Sequence, residues 1–540
     1  MWKKVMRIGK KYRFDILFVM IALIAVFSPY LRQDLIIGSD SPFHLARIDS
    51  LKEGILAGGF PVKVHSVLCY QYGYGVGLFY PNFFLYIPAF LRIAGVSLEV
   101  AYKLYAGLLF LAIFCSMYYC VYKGTQDRVL ALLAGALYLF SNPVMIGFYT
   151  DFALAQNQAM IFLPLAIMGM FEFASADKSP WMLAVGFTGL IYSHVLSTVL
   201  AFGVCLVILA CCVLRWRNWR ERLIKLCIAV IGVCGVTFAY WGPMLEQFAA
   251  QTYRVSQPWT HVYDNVLKLY LLFTNRGVGL VLLFVMMATA FYLLGNWGGL
   301  GKEIKISFLL GSVLVSLMFF QRFWNITGSL FDFLQFPARL KCPAVVLLIF
   351  AAMWCIKSAE LSQNAVYVIA VVMLGICIYT GLDSVSDKME NTEDFGNRVI
   401  YEEIAGLGSG EEWLPVETTR EVLVTPLVAF SEEGEVFNGK RDGNDYYFTV
   451  NGEGNTYKMP LIWYKGYRAE TEEGNPLTVM KNAGDGLILV SGVTSAEGDV
   501  NIHVWYDGTA LQKVSYIVSL ISAIIVGIWM VWKRKGRTGI

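Results

Sequence analysis

Long apolar runs constrain the fold of this chain more than any other feature of its sequence. A helix needs about 20 apolar residues to cross roughly 30 Å of hydrocarbon. Suitable runs lie at 14–31, 99–121, 129–148, 158–174, 195–214, 223–241, 278–295, 305–320, 340–357, 366–382 and 514–532, and a shorter one lies at 181–192. Because lipid offers no partner to an unpaired backbone group, such runs fold as helices. The sequence therefore predicts a polytopic α-helical membrane protein with about twelve crossings.

The composition supports this class and excludes others. The 540 residues are 57% hydrophobic and 15% charged, whereas soluble domains are about 45–50% apolar. A net charge of +3 is too small to indicate a nucleic-acid partner. Most of the 11 cysteines fall inside apolar runs, and their spacing predicts neither a disulfide framework nor a CxxC metal site. We therefore expect membrane lipid, and no nucleic acid, around this chain.

Basic residues at both ends predict the orientation of the chain. Lysines and arginines precede the first apolar run and follow the last one, so the positive-inside rule places both termini in the cytoplasm. The basic loops 122–128 and 215–225 then face the cytoplasm as well. The first apolar run is long for a signal peptide and lacks a small-residue cleavage site, so it is predicted to be a retained anchor.

The same alternation assigns several loops to the outer face: 32–98, 149–157, 242–277 and 321–339, together with the long segment 383–513. That segment opens with acidic residues as far as Glu402 and Glu403, which we expect to be helical. Alternating apolar stretches separated by turns follow, and they predict a β-sandwich of about 90 residues. The predicted domains are a transmembrane domain at 1–382 containing the outer loop, an extracytoplasmic domain at 383–513, and a last helix with a basic tail at 514–540.

The first outer loop carries the charged stretch "GSDSPFHLARIDSLKEG". Ser41 and Pro42 are typical of a helix cap followed by proline in the first turn. The apolar positions then recur at helical spacing and predict a short amphipathic helix along the interface; they are Leu45, Ile48, Leu51 and Ile55. Asp40 either belongs to the helix cap or has a functional role. It lies one turn before His44, on the same face of the helix as Arg47.

Three further outer-face residues are candidates, each with a structural alternative. Asp151 ends an apolar run, where a carboxylate can simply face water. His194 lies where two apolar runs meet. It is either a packing residue with a hydrogen bond or a residue at a helix break that lines a cavity. Arg339 begins a crossing, where it either reaches the headgroups or grips a phosphate in bidentate fashion. Arg254 and Arg276 are weaker alternatives for that phosphate.

Aromatic residues are concentrated in the stretch "YQYGYGVGLFYPNFFLYIPAF", residues 70–90. An interfacial aromatic belt explains most of them, while stacking on sugar rings is the alternative. The pattern does not distinguish the two.

Several blocks together resemble a known family. They are "GSDSPFHLARIDSLKEGILAGGFPVKV", "GYGVGLFYPNFFLYIPAFLRIAGVSLEVAYKLY", "FLPLAIMGM", "YSHVLST", "YWGPMLE" and "LQFPARL". In this order they resemble the signature blocks of the bacterial YfhO-like membrane proteins, within the broad GT-C glycosyltransferase class. The family overlaps one labelled 6-pyruvoyl-tetrahydropterin-synthase-related, although nothing here suggests pterin chemistry. The resemblance covers most of residues 10–350.

The resemblance implies an inverting transferase that moves a sugar from a polyprenyl-phosphate carrier to a lipid or cell-wall polymer outside a bacterial plasma membrane. Asp40 matches the position of the acidic base in the first outer loop. Arg339 matches the arginine of the "QFP-x-R" block and is the expected phosphate contact, with Arg47 as second choice. His194 is expected to join the catalytic group, and His44 to support it.

One departure from the family pattern affects the metal question. Where related sequences tend to have an arginine and, five positions on, a glutamate, this chain has Asp151 and Gln156. The second acidic residue of the family pattern has either moved to Asp151 or been lost. A site that binds a divalent metal through two carboxylates is therefore possible, but the sequence does not assign one. Two other functions remain open: a transporter or flippase for lipid-linked intermediates, and a degenerate scaffold.

Overall fold

The computed structural model describes residues 12–214, 216–257, 260–393, 411–452, 455–493 and 498–538. Its α-helices are α1 (Arg13–Phe27), α2 (Ser41–Leu56), α3 (Val76–Phe79), α4 (Tyr86–Ile93), α5 (Leu98–Thr125), α6 (Arg128–Leu139), α7 (Asn142–Tyr149), α8 (Leu154–Ala176), α9 (Trp181–Ile191), α10 (Val195–Val213), α11 (Trp219–Ala250), α12 (Leu280–Asn296), α13 (Lys302–Leu317), α14 (Gln321–Thr327), α15 (Lys341–Ser358), α16 (Gln363–Asp383) and α17 (Ala510–Thr538).

Short 3₁₀ turns join many of these helices: Ser28–Leu31, Phe83–Leu85, Arg254–Ser256, Val262–Asn265, Leu269–Phe273, Trp297–Gly299, Gly328–Leu334, Pro337–Leu340, Ser386–Lys388, Glu411–Trp413 and Arg420–Val422. The strands are β1 (Leu35–Ile36), β2 (Thr392–Glu393), β3 (Val428–Ser431), β4 (Val436–Asp442), β5 (Asp445–Val450), β6 (Thr456–Ile462), β7 (Tyr467–Thr471), β8 (Pro476–Lys481), β9 (Leu487–Ser491) and β10 (Val500–Tyr506).

The predicted multi-pass architecture is confirmed. Among the described residues, 9 helices are long and apolar enough to cross a membrane, or up to 11 if two bent pairs each count as one span. The pairs are α6 with α7, bent by 44°, and α13 with Gln321–Leu334, bent by 80°. The short run predicted at 181–192 forms α9, whose 11 residues extend about 16 Å at 1.5 Å per residue. The expected count of about twelve is reached only if α9 is included.

The chain folds into two compact units, neither of which is continuous in sequence. The first comprises 1–39, 103–233 and 258–394, and the second comprises 40–102, 234–257 and 395–540. The expected boundaries at residues 382 and 513 divide the chain differently, into contiguous pieces, and they stay a prediction.

The first unit is built from closely packed helices. Its tightest pair is α8 with α9, where glycines let the backbones approach each other. A Cβ added to Gly186 would lie 2.5 Å from the backbone nitrogen of Ala166, and one added to Gly169 would lie 2.3 Å from that of Leu183. Such small-residue contacts are typical of helices packed in a membrane.

The acidic lead-in differs from the expected helix. Its described part contains one 3₁₀ turn, Ser386–Lys388, and then β2, which pairs antiparallel with β1 so that Leu35 faces Glu393. Glu402 and Glu403 lie outside the described residues.

The second unit contains a closed barrel rather than the expected sandwich. Its eight antiparallel strands follow the order β10-β5-β4-β3-β6-β9-β8-β7, and β7 pairs back with β10 to close the ring. Alternate side chains point into the barrel, as Tyr446, Phe448 and Val450 do on β5. A sandwich and a barrel share this alternation, so the pattern predicted the strands but not their closure.

Part of the aromatic stretch at 70–90 is interior to the second unit. Tyr72 is 1% exposed, and its hydroxyl donates to the carbonyl of Val422 at 3.2 Å. Phe79 is fully buried and stacks on Trp413 with ring centroids 5.3 Å apart. Burial removes these rings from both a membrane belt and a sugar platform, so they act as core residues. Tyr70, Phe83 and Phe90 remain exposed, and for these three rings both expected roles stay open.

The α8–α9 contact predicts a stability difference between two glycines. Gly186→Ala pushes a methyl group against the α8 backbone and should destabilise the fold by about 1–3 kcal/mol, the usual cost of overpacking. Gly203→Ala in α10 meets nothing within 4 Å and should be neutral or slightly stabilising, because alanine favours a helix. Thermal unfolding of both variants in detergent measures the difference. Equal melting temperatures would show that the close approach is not a constraint.

Candidate functional site

In the first unit, a sharp turn between α7 and α8 presents Asp151. Phe152 adopts a left-handed backbone conformation at φ 56°, which sets the direction of the turn. The extended segment before α2 packs on this turn: the amide of Ser39 donates to the carbonyl of Thr150 at 3.2 Å. A Cβ on Gly38 would come within 2.4 Å of that carbonyl oxygen. A glycine is therefore required where the two segments meet.

Asp151 lies in an electrostatic environment set by two cations. Its side chain is exposed, yet desolvation by the surrounding protein raises the pKa of this carboxyl, while the positive charges of Lys341 and Arg339 act in the opposite direction. The three residues thus form a group with one carboxylate and two cations. An excess of positive charge at a membrane surface suits a phosphate ligand.

The two cations lie at the start of α15 and just before it, and they are positioned differently. Lys341, the first residue of α15, donates from Nζ to Oδ1 of Asn142 at 2.6 Å. Arg339 precedes it in the turn Pro337–Leu340, where Nη1 donates to the carbonyl of Leu334 at 3.1 Å and the guanidinium lies 5.3 Å from the Phe336 ring. The sequence reasoning missed Lys341, although a lysine inside an apolar run was the available signal.

His194 occupies the predicted helix break. It precedes α10 with extended backbone angles, φ −153° and ψ 114°, after α9 has ended. Its Nδ1 lies 2.9 Å from the Ser197 hydroxyl, and the charge of Arg339 acts on its ring. The first unit therefore brings His194 and Asp151 within the electrostatic reach of one arginine. Their functional roles stay predictions.

Gln156 lies in the first turn of α8 and is half-buried. The next residue, Asn157, is fully buried and donates from Nδ2 to the carbonyl of Gly147 at 2.9 Å, tying α8 to α7. Its Oδ1 is buried without a hydrogen-bond partner among the described residues. Sequence reasoning did not select Asn157, because a polar residue early in a helix carries no distinctive pattern.

Asp40 belongs to the second unit and stands at the N-cap of α2. The helix begins at Ser41, so Asp40, rather than the expected Ser41, occupies the cap position, and Pro42 is the second helical residue. The cap position makes no side-chain capping hydrogen bond. The carboxylate is half-buried, and its role as a base stays a prediction.

The helix α2 is an interior helix, which corrects the expected interfacial one. Asp49 lies off the apolar stripe, yet it is 4% exposed and forms an ion pair with Arg92 at 2.9 Å. His44 and Arg47 are 2% and 1% exposed. The segments that pack around α2, rather than the periodicity of its own sequence, determine which of its faces is exposed to solvent.

Arg47 is a buried cation surrounded by neutral oxygens. Its Nη2 donates to Oδ1 of Asn82 at 2.7 Å and to the carbonyl of Pro81 at 3.1 Å, and the guanidinium lies 4.5 Å from the Tyr80 ring. Its Nη1 lies 3.3 Å from Nδ1 of His44, while Nε is buried without a partner among the described residues. Burial lowers the pKa of Arg47 to about 10. This environment favours a structural role, and phosphate binding by Arg47 stays a prediction.

A chain of hydrogen bonds extends from Arg47. Asn82 presents Nδ2 to Nε2 of His65 at 3.1 Å, and Nδ1 of His65 lies 2.6 Å from the Ser50 hydroxyl. Burial, and then the charge of Arg47, lower the pKa of His65 to about 3. A neutral His65 with its proton on Nδ1 accepts from Asn82 and donates to Ser50, so the loop is fixed to α2.

The described parts of the chain contain no cluster of side chains suited to bind a metal ion. No group of three or more histidine, cysteine, aspartate or glutamate side chains there could hold a metal ion. The cysteines in the described residues are free thiols.

Comparisons with known proteins give limited guidance. No family model matches the chain. An uncharacterized protein of Lactococcus lactis subsp. cremoris is 27% identical over 263 residues, which cover 46% of this chain and 42% of that protein. The cryo-EM structure of the arabinofuranosyltransferase AftD from mycobacteria aligns with a TM-score of 0.45 and 14% identity, over 70% of this chain and 27% of AftD. So low a TM-score assigns neither fold nor activity, and the YfhO-like resemblance stays a prediction.

The Arg47 environment predicts a large effect on stability. Arg47→Met leaves the oxygens of Pro81 and Asn82 buried without their donor, and each such loss costs about 1–3 kcal/mol. We expect a destabilisation of about 2–4 kcal/mol, since removing a desolvated charge offsets part of the cost. Thermal unfolding in detergent measures it. The control is Arg468→Met on the barrel surface, where the arginine side chain is 63% exposed; similar melting temperatures for both variants would contradict the assignment.

Proposed function

We propose that this protein is a membrane glycosyltransferase that moves a sugar from a polyprenyl-phosphate carrier to a lipid or cell-wall polymer at the outer face of the bacterial plasma membrane. The observation that carries the proposal is the group formed by Asp151, Arg339 and Lys341. It lies where membrane-spanning helices begin and end, and its net charge is positive. A sugar phosphate gains negative charge on its phosphate as the sugar departs, and fixed cations stabilise that charge.

Arg339 and Lys341 are the proposed phosphate ligands. The guanidinium can bind two phosphate oxygens in parallel, while the ammonium acts as a point charge. Lys341 is the first residue of α15 and Arg339 lies in the turn directly before it. A lipid phosphate held there would place its apolar chain alongside membrane-spanning helices.

Asp40 is the proposed base. An acceptor hydroxyl is a poor nucleophile until a positioned carboxylate takes its proton, and Asp40 is a half-buried carboxylate directly before α2. One displacement then breaks the bond from the sugar to the phosphate and forms the bond to the acceptor, which inverts the configuration. Asp151, His194 and Gln156 are proposed to hold the hydroxyls of the donor sugar.

The position of the charges favours transfer over transport. A transporter typically binds its substrate near the middle of the bilayer. Here the carboxylate lies in the turn between α7 and α8, and the two cations lie at the start of α15. A degenerate scaffold is the remaining alternative, and it predicts that variants of these residues have no effect on glycan synthesis.

The phosphate assignment predicts a graded loss at Arg339. Arg339→Gln should lower the rate of sugar transfer by about 10²–10³-fold, the usual cost of removing one such stabilising contact. Arg339→Lys keeps the charge but not the bidentate geometry, so its loss should be smaller. The rate of label transfer from undecaprenyl-phosphate-linked sugars in membranes measures both.

A matched control for this series is Arg276→Gln. Arg276 belongs to the same unit, but its side chain is 65% exposed and it pairs with Asp387 at 2.8 Å. The control should transfer sugar at the wild-type rate. A loss in Arg276→Gln equal to that in Arg339→Gln would contradict the assignment.

The base assignment predicts a loss of cell-envelope decoration. In a strain lacking the gene, Asp40→Asn should fail to restore glycan decoration, and the sugar-linked carrier lipid should accumulate because it is made but not consumed. Asp34→Asn, six positions earlier in the same loop, should restore both to the wild-type level. Mass spectrometry of envelope glycans and carrier lipids measures the outcome, and full decoration by Asp40→Asn would refute the proposed base.

A further inference from the structure

A histidine–aspartate pair lies in the first unit, outside the residues discussed so far. Nδ1 of His261 lies 2.7 Å from Oδ2 of Asp332. Because a carboxylate can only accept at this distance, the ring nitrogen carries the proton and donates it. The pair joins the loop after α11 to the turn Gly328–Leu334, across 71 positions of sequence.

Asp332 is held in one orientation. Its side chain is 9% exposed, and its second oxygen accepts from the backbone amide of Val262 at 3.1 Å. Among the described residues, His261 is the only cationic or titratable basic partner within ion-pair distance of Asp332. The carboxylate therefore aligns the imidazole and holds the tautomer that carries its proton on Nδ1.

His261 directs its second ring nitrogen outward. Its side chain is 46% exposed, and the ring stacks on Tyr263 with centroids 5.0 Å apart and planes 6° from parallel. With Nδ1 occupied by Asp332, Nε2 is the nitrogen available to a ligand. The sequence has 5 histidines, and the other four are more enclosed: His44 and His65 are buried, His194 is half-buried, and the His503 side chain on the barrel is 23% exposed.

The pair is placed beside the segment that carries Arg339. The turn Val262–Asn265 packs against Pro337–Leu340, and Nδ2 of Asn265 donates to the carbonyl of Gln335 at 3.2 Å. His261 directly precedes the first of these turns and Arg339 lies on the second, so both belong to packed segments of one compact unit.

We infer that His261 is a general acid for this transferase, with Asp332 as its positioning residue, and that its ligand is the phosphate of the lipid carrier. The inference rests on the proposed function. As the bond between the sugar carbon and the phosphate oxygen breaks, its electron pair stays on that oxygen, and the Nε2 proton of His261 moves to the phosphate. The acceptor oxygen bonds to the sugar carbon, and its proton goes to the base. His261 regains a proton from water after the lipid phosphate departs.

The alternative role is structural, because the pair could simply fasten the two turns. Two variants separate the roles. His261→Asn places an amide nitrogen close to the position of Nδ1, so it keeps the hydrogen bond to Asp332 and loses Nε2. His261→Ala loses both. A structural role predicts that His261→Asn behaves as wild type, whereas an acid role predicts that both variants lose activity.

The test uses the full chain in liposomes with a panel of undecaprenyl-phosphate-linked hexoses and pentoses as donors. His261→Asn should lower kcat by about 10²–10⁴-fold, the range for loss of a positioned acid or base, with an unchanged melting temperature. His503→Asn on the barrel is the control and should transfer at the wild-type rate. Asp332→Asn should fall between wild type and His261→Asn, since the ring remains but loses its charged partner.

A pH profile adds a readout that a structural role does not move. An acid must be protonated to act, so the wild-type rate should fall at the basic end of the pH profile, and His261→Asn should lack this decline. The other titratable or charged groups on the packed elements are Tyr263, Asp264, Arg322, Asp332 and Arg339, and all of them remain in His261→Asn.

Each outcome decides the inference. Wild-type transfer together with full activity of His261→Asn overturns the general acid and leaves the proposed function standing. The inference is also overturned if the wild type transfers sugar and the rate of His261→Asn still declines at high pH as the wild-type rate does. Absence of transfer by the wild type, with every donor of the panel, overturns the proposed function and the acid role together.

Discussion

The bilayer leaves no partner for an unpaired backbone group and makes every charge costly, and this constraint determines where the protein can place reactive side chains. The apolar runs must close their hydrogen bonds as helices, so ionisable groups are displaced to the turns and breaks between them. Asp151 lies in a turn, His194 in a helix break, and Arg339 just before a helix. The candidate chemistry of the first unit therefore follows from the same physics that forms its helices.

The second unit meets the constraint differently, by building a polar interior of its own. Arg47 is surrounded by carbonyl and amide oxygens and an aromatic face, and its interactions continue through Asn82 to His65. Asp49 is neutralised by Arg92. These buried charges of the first outer loop therefore stabilise the packing of the second unit. Asp40 stands half-buried at the cap position of α2.

The sequence predicted those features that depend on local periodicity. The run at 99–121 corresponds to α5 at Leu98–Thr125, and the break at His194 was expected from the meeting of two apolar runs. The strands of the barrel were expected from alternation and turn residues. Each of these patterns is contained within a few consecutive residues, so the chain reveals it without tertiary information.

Features that depend on distant partners could not be predicted in this way. Closure of the barrel requires β7 to pair with β10, and nothing in either strand specifies that partner. Aromatic residues such as Tyr72 look alike in a core and at an interface until their neighbours are known. Asp332 and His261 are 71 residues apart, so neither local spacing nor composition indicates that they meet. Candidate sites built from one loop were accessible to sequence reasoning, whereas sites assembled from two loops were not.

The most direct measurement is the fate of a labelled sugar on its carrier when the purified protein is the only protein in a liposome. The liposomes contain undecaprenyl-phosphate-linked sugars, labelled in the sugar, and an extract of envelope lipids and polymers as acceptor. A transferase releases undecaprenyl phosphate in step with labelling of the acceptor, and the new linkage has the inverted anomeric configuration by NMR. Movement of the intact labelled lipid across the bilayer, with no release of undecaprenyl phosphate, would contradict the account.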